Sequence, residues 1–126
     1  MMEPRELVAF AEAAVDQVEP IFRSGLGAQP ARFKGQGDFA TEVDLVIEQQ
    51  LRDILTQMTG IPVYGEESGG SVLDTVWVVD PIDGTANYSA GNPLAGILVA
   101  LIHKGAPVVA VSDFPLLGRR LVTCDG

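Results

Sequence analysis

The sequence predicts a mixed fold, α/β or α+β, and two observations predict it. Apolar residues recur at helical spacing over the first half of the chain, and from Ile61 onward the period shortens to β-branched runs bounded by glycine or acidic residues. The length of 126 residues suits one domain, 1–126, with chain enough to bury a substantial core.

A first helix follows from Leu7, Ala11, Ala14, Val15, Val18, Ile21 and Phe22, with Pro4 near its start and Gly25 after its end. Pro20 is expected to kink or shorten it, since proline removes a hydrogen bond and crowds the preceding turn. Ser24 to Gly37 carries four glycines and a proline without an apolar period, which reads as a loop. A second helix is predicted with Val43, Val46, Ile47, Leu51, Ile54, Leu55 and Met58 on one face. Thr41-Glu42-Val43-Asp44 gives it a capping-box start and Gly60 a stop. Pro62-Val63-Tyr64 and Thr75 to Val79 read as short buried strands. Ala95–His103 and Pro107–Asp113 flank Lys104-Gly105-Ala106 as a hairpin, and Arg119 to Thr123 adds a strand after the turn at Pro115 to Gly118. His103 is expected at a strand end and Cys124 as a small strand residue. Asp125-Gly126 is a turn dipeptide that no strand follows, which gives the expectation of a chain truncated at its C-terminus.

Eight Lys and Arg against 17 Asp and Glu give a net charge of -9. No basic stripe exists to neutralise phosphates along DNA or RNA, which disfavours a backbone-wide grip, and no nucleic-acid partner is expected. An acidic surface ordinarily serves solubility, and it acquires a chemical meaning only where carboxylates converge on a cation. Cys124 is the only cysteine and His103 the only histidine. No internal disulfide and no zinc spacing are possible, which favours a reducing, cytoplasmic setting. Met1 to Glu12 places acids where a signal peptide needs a basic start, and Pro93 to Ile102 is far too short to cross a bilayer. No membrane partner is expected.

The most informative string is Trp77-Val78-Val79-Asp80-Pro81-Ile82-Asp83-Gly84-Thr85-Ala86-Asn87-Tyr88. Asp80 would leave the end of a buried strand while Pro81 turns the chain, so that Asp83 doubles back beside it. Two hard oxygen ligands at one point suit magnesium. Gly84 lets the backbone approach a ligand, and if Thr85 opens a short helix, its free N–H groups can seat a phosphate. Taken alone, Asp-Gly more often marks a turn, and only company gives it meaning. Phosphatases of the haloacid dehalogenase type carry Asp-x-Asp-Gly-Thr with a nucleophilic first aspartate. Pro81 stands at that position here and excludes the phosphoaspartate route. The EF-hand spacing is missing as well. Tyr64-Gly65-Glu66-Glu67-Ser68 follows a strand and could bring its carboxylates to the edge that bears Asp80. Lys34 to Asp44 leads into the second helix, where Asp44 alone reads as a cap.

The ordered set, Asp38 to Asp44 before a helix, then Gly-Glu-Glu-Ser, then Trp-Val-Val-Asp-Pro-Ile-Asp-Gly-Thr-x-Asn, resembles the inositol monophosphatase family along essentially the whole chain. The resemblance implies the N-terminal half of a layered αβαβα sugar-phosphatase fold, two helices packed on a mostly antiparallel sheet. It implies Mg2+ held by Glu66, Asp80, Asp83 and the carbonyl of Ile82, and a substrate phosphate held at Asp83, Gly84 and Thr85. Thr85, paired with Asp44, and Glu66 would serve catalysis by orienting and deprotonating the attacking water. The activity implied is lithium-sensitive hydrolysis of a small phosphorylated metabolite, inositol monophosphate first, by a protein that is a homodimer at full length.

Family members are roughly double this length and carry a later Trp-Asp-x-Ala-Ala-Gly string, which does not occur here; Trp77 is the only tryptophan. The residues that select the alcohol are therefore missing, and the outer face of the sheet should be uncovered. Two further readings stay open. Relatives acting on histidinol phosphate, fructose bisphosphate or phosphoadenosine phosphate share the Asp-Pro-Ile-Asp-Gly-Thr string, although Tyr88-Ser89-Ala90-Gly91 looks more like the inositol branch. From another class comes a non-catalytic module that binds metal or phosphate.

Overall fold

The computed structural model describes residues 2–35 and 38–124. Helix α1, Pro4–Ser24, has proline in its first turn, where an absent N–H is no loss. It buries Leu7, Ala11, Ala14, Val15, Val18 and Phe22 along one stripe. The helix is not shortened at Pro20, which lies on its exposed side; it runs on to Ser24, and the Gly25 N–H donates to Ile21 O at 3.1 Å to close it.

The stretch read as a loop contains a strand. β1 (Pro30–Gly35) pairs antiparallel with β2 (Asp38–Thr41), and Phe33 and Phe39 face each other across the pair at 6.3 Å. No residue of β1 is buried, so no apolar alternation could announce it. The backbone ladder with β2, rather than burial, defines this strand.

Helix α2, Glu42–Thr59, starts on the predicted capping box: the Asp44 N–H donates to Thr41 Oγ1 at 3.3 Å and the Thr41 N–H to Asp44 Oδ1 at 2.7 Å. Gly60 ends it at φ 70. Its buried stripe is Asp44, Ile47, Glu48, Leu51 and Leu55, whereas Val46, expected on the inner face, is 44% exposed. Two carboxyl groups thus stand on the buried face of this helix.

The remaining elements are β3 (Val63–Gly65), β4 (Thr75–Asp83), α3 (Thr85–Ser89), β5 (Gly96–His103), β6 (Ala106–Phe114), a 3-10 turn at Pro115–Leu117 and β7 (Arg119–Cys124). One five-stranded sheet runs in the order β3-β4-β5-β6-β7; β3 and β4 are parallel and every other pair is antiparallel. Alternate side chains, Trp77, Val79, Ile97, Val99, Leu101, Val109 and Val111, point to one face and join the buried stripes of α1 and α2 in a common core. Two helices on a mostly antiparallel sheet is the arrangement the sequence predicts.

The other face of the sheet is open. Tyr64, Val78, Leu98, Ala100 and Ala110 line a shallow hollow there that reaches Glu66 and Asp80 at one end. His103 closes β5 with its Nδ1 2.6 Å from Thr75 Oγ1, and Cys124 is exposed in β7. Asp125 and Gly126 lie outside the described residues. Among those described, no helix is long and apolar enough to cross a membrane.

Candidate active site

Register brings the first two carboxylates together. Gly65 pairs with Val79 in the parallel ladder, so the next residues, Glu66 and Asp80, leave adjacent strands at the same end of the sheet, and the Glu66 N–H donates to Val79 O at 3.2 Å. Pro81 then interrupts the ladder with β5, which passes from Asp80↔Leu98 to Asp83↔Gly96. A residue without an N–H cannot extend the pairing, and the chain bends there. Ile82 is buried and anchors the bend, while Asp83 is exposed on the cleft side.

Gly84 turns the chain into α3 at φ 84, and a Cβ on it would lie 3.0 Å from Leu94 O. Tyr88 ties this one-turn helix to α1: its hydroxyl donates to Phe22 O at 2.6 Å and its ring centroid lies 4.8 Å from that of Phe22. Burial pushes the Tyr88 hydroxyl up to about 12, so it stays a neutral donor. Thr85, the first residue of α3, is held from two sides, with its Oγ1 3.1 Å from Asp44 Oδ2 and 3.1 Å from Ile82 O. Asp44 therefore does more than cap α2. Its Oδ1 accepts from the Thr41 N–H and hydroxyl, at 2.7 and 2.5 Å, while its Oδ2 reaches across to α3.

Glu66, Asp80, Ile82, Asp83, Gly84 and Thr85 line one cleft of about 240 Å3, with Asp38 and Phe39 on its rim. Burial, then a hydrogen bond and charge from Glu66, then charge from Asp83, push the Asp80 carboxyl up to about 8. Asp80 Oδ1 is buried and has no hydrogen-bond partner among the described residues. Crowded acids and an unpartnered buried oxygen fit a hard dication. Among the described residues no three acidic, imidazole or thiol groups enclose a cation on their own.

The neighbouring acid behaves differently. Glu67 is buried and ion-paired with Lys34 of β1, whose Nζ also lies 3.5 Å from Glu66 Oε1. Burial acts to lower the Lys34 pKa, but the hydrogen bond and charge of Glu67 and the charge of Glu66 raise it overall. Arg32 donates to Glu67 O at 2.7 Å. Sequence reasoning gave these two bases no role: Lys34 enters only as the start of the run to Asp44, and both lie on the unrecognised strand. It also passed over Glu48 and Arg52, whose i, i+4 spacing on α2 is indistinguishable in sequence from an ordinary solvated helix pair.

What fold and cleft define is a class: an α+β protein whose acidic oxygens gather at one end of its sheet, next to the start of a glycine-led helix. Comparison with known proteins narrows that class. The sequence profile of the inositol monophosphatase family matches residues 3–126, and the chain belongs to that family. It is 48% identical over 116 residues to the inositol-1-monophosphatase ImpA of Mycolicibacterium smegmatis, an alignment that covers 90% of this chain and 42% of that one. It is 38% identical over 115 residues to a histidinol-phosphatase of Mycobacterium tuberculosis, covering 87% and 44%. The IMPase of Thermotoga maritima superposes with a TM-score of 0.87 at 25% identity, over 94% of this chain and 48% of that one. The chain spans less than half the length of these relatives.

Proposed function

We propose that this chain is the cation- and phosphate-binding part of a magnesium-dependent phosphatase that hydrolyses a small phosphate monoester, inositol monophosphate first among the candidates. The observation that carries the reading is the placement of the Asp44–Thr85 hydrogen bond at the cleft where Glu66, Asp80 and Asp83 meet. Glu66, Asp80, Asp83 and the Ile82 carbonyl would hold the magnesium. Bound there, the ion supplies Lewis acidity toward the phosphate and the attacking water. The backbone N–H groups of Gly84 and Thr85, beside Asp83, would hold the phosphate. When Thr85 donates its hydroxyl proton to Asp44, its oxygen keeps lone pairs that can accept a proton from water, so the pair orients the nucleophile and draws its proton toward Asp44. Glu66 supplies a second acceptor. A cytoplasmic setting and a homodimer of the full-length protein belong to the same reading.

The test is phosphate release by the complete protein from inositol monophosphate, histidinol phosphate, fructose bisphosphate and phosphoadenosine phosphate, with Mg2+ and with chelator. Magnesium-dependent release that disappears in Asp83→Asn is expected. No release from any monoester, or turnover unchanged in Asp83→Asn, would refute the reading. A second reading, a non-catalytic module that binds metal or phosphate, rests on the same acidic cleft. It predicts saturable Mg2+ binding by a cooperatively folded monomer with no turnover, and an aggregated chain would sink it.

A further inference from the structure

Residues 66–74 carry the chain from β3 to its parallel neighbour β4 without a helix between them. Parallel crossovers ordinarily take a dozen residues or more and usually contain a helix. This shorter connection has to be held by side chains, and α2 provides them. Glu48, only 1% exposed, accepts the Glu67 N–H on Oε1 at 2.7 Å and the Ser68 N–H on Oε2 at 2.7 Å, and it also takes the Ser68 hydroxyl. Arg52, one turn further on, donates to Val63 O at 2.6 Å and Gly69 O at 2.7 Å, with its Nη2 3.8 Å from Glu48 Oε2. The acid takes N–H groups of the connection, and the base takes one carbonyl in β3 and one within the connection.

The contact is close enough to dictate sequence. A Cβ on Gly65 would lie 2.2 Å from Glu48 Cδ, so only glycine lets the strand end rest against this carboxyl. The Glu67 N–H lies in the same peptide plane as the Glu66 carbonyl. Holding that N–H fixes ψ of Glu66, and with it the direction in which the Glu66 side chain leaves the sheet.

We propose that Glu48 is a positioning residue for the cation seat: it holds Glu66 beside Asp80 by gripping the peptide that follows Glu66, while Arg52 ties the first half of the same loop to β3. This rests on the cation-binding reading above.

The experiment uses the 126-residue chain and two readouts: amide hydrogen exchange at Glu67 and Ser68, and the Mn2+ dissociation constant measured by electron paramagnetic resonance. Glu48→Gln should speed exchange at both amides and weaken Mn2+ binding about 10- to 100-fold, the usual effect of losing a residue that orients a metal ligand. Arg52→Met, whose guanidinium is only part-buried, should move both readouts in the same direction by less, and it keeps the test open if Glu48→Gln does not fold. Val109→Ala, a core truncation in β6, should move neither. A folded Glu48→Gln with wild-type exchange and affinity overturns the proposal, as does a Val109→Ala that shifts both readouts equally. If wild type binds no Mn2+, the cation reading fails and this one with it. If wild type binds and Glu48→Gln binds as well, only the positioning role fails.

Discussion

At the scale of single residues, what matters is which acids have found a partner. Asp80 has its Oδ1 buried without one among the described residues, and two further acids lie beside it. Asp80→Asn is expected to raise the midpoint of thermal unfolding without magnesium, because one crowded acid is gone, and to abolish the midpoint rise that the proposed function predicts for wild type with Mg2+. A ligand at a hundred times its dissociation constant stabilises by about 2.7 kcal/mol, enough to read by calorimetry. Asp113 is the contrasting case, buried in β6 with Arg120 Nε donating to it at 3.0 Å. Burial still pushes its carboxyl up to about 6, against the pull of Arg120 and aided by Glu19. The folded chain therefore holds this proton more tightly than the unfolded one. The resulting stability is complete below about pH 4 and is lost as the pH rises through about 6. The stability of wild type relative to Asp113→Asn should accordingly fall by about 1–3 kcal/mol between pH 4 and pH 7, measured as denaturant midpoints.

At the scale of elements, the turn that opens α2 links secondary structure to the cleft. Thr41→Ala removes the hydroxyl that both receives the Asp44 N–H and donates to Asp44 Oδ1. A loss of about 1 kcal/mol in urea unfolding is expected, together with weaker phosphate binding, since the carboxyl facing Thr85 loses a support. The two long helices and the strands from Val63 onward were legible because they combine a period with a stop signal, whereas the one-turn helix after Gly84 has no period and stood only as a condition. β1 was not legible, because it buries no residue that could carry a period and its only definition is the ladder to β2. Asp44 was legible as a cap and Glu66, Asp80 and Asp83 as a motif, since their meaning lies in local order along the chain. Glu48 and Lys34 act across 19 and 33 residues respectively on the loop after β3, and nothing local distinguishes them from surface charges.

At the scale of the whole molecule, α1 and α2 cover one face of the sheet and leave Tyr64, Val78 and their neighbours open on the other, in a chain less than half as long as its relatives. The order β3-β4-β5-β6-β7 has a further consequence, for the route by which the molecule assembles. From β4 onward each strand pairs with its immediate successor, so the meander can zip outward from its turns with little loop closure. Asp44 and Glu66 come from the elements before it and meet Asp80 only when α2 and β3 dock on the finished edge. The docking order this topology favours puts the acidic cleft late in folding. Stopped-flow measurements on the fluorescence of Trp77 should find refolding rates indifferent to Mg2+. Unfolding should slow about 100-fold at a hundred times the dissociation constant, because a ligand of a late-formed site acts on the rate of leaving the native state alone.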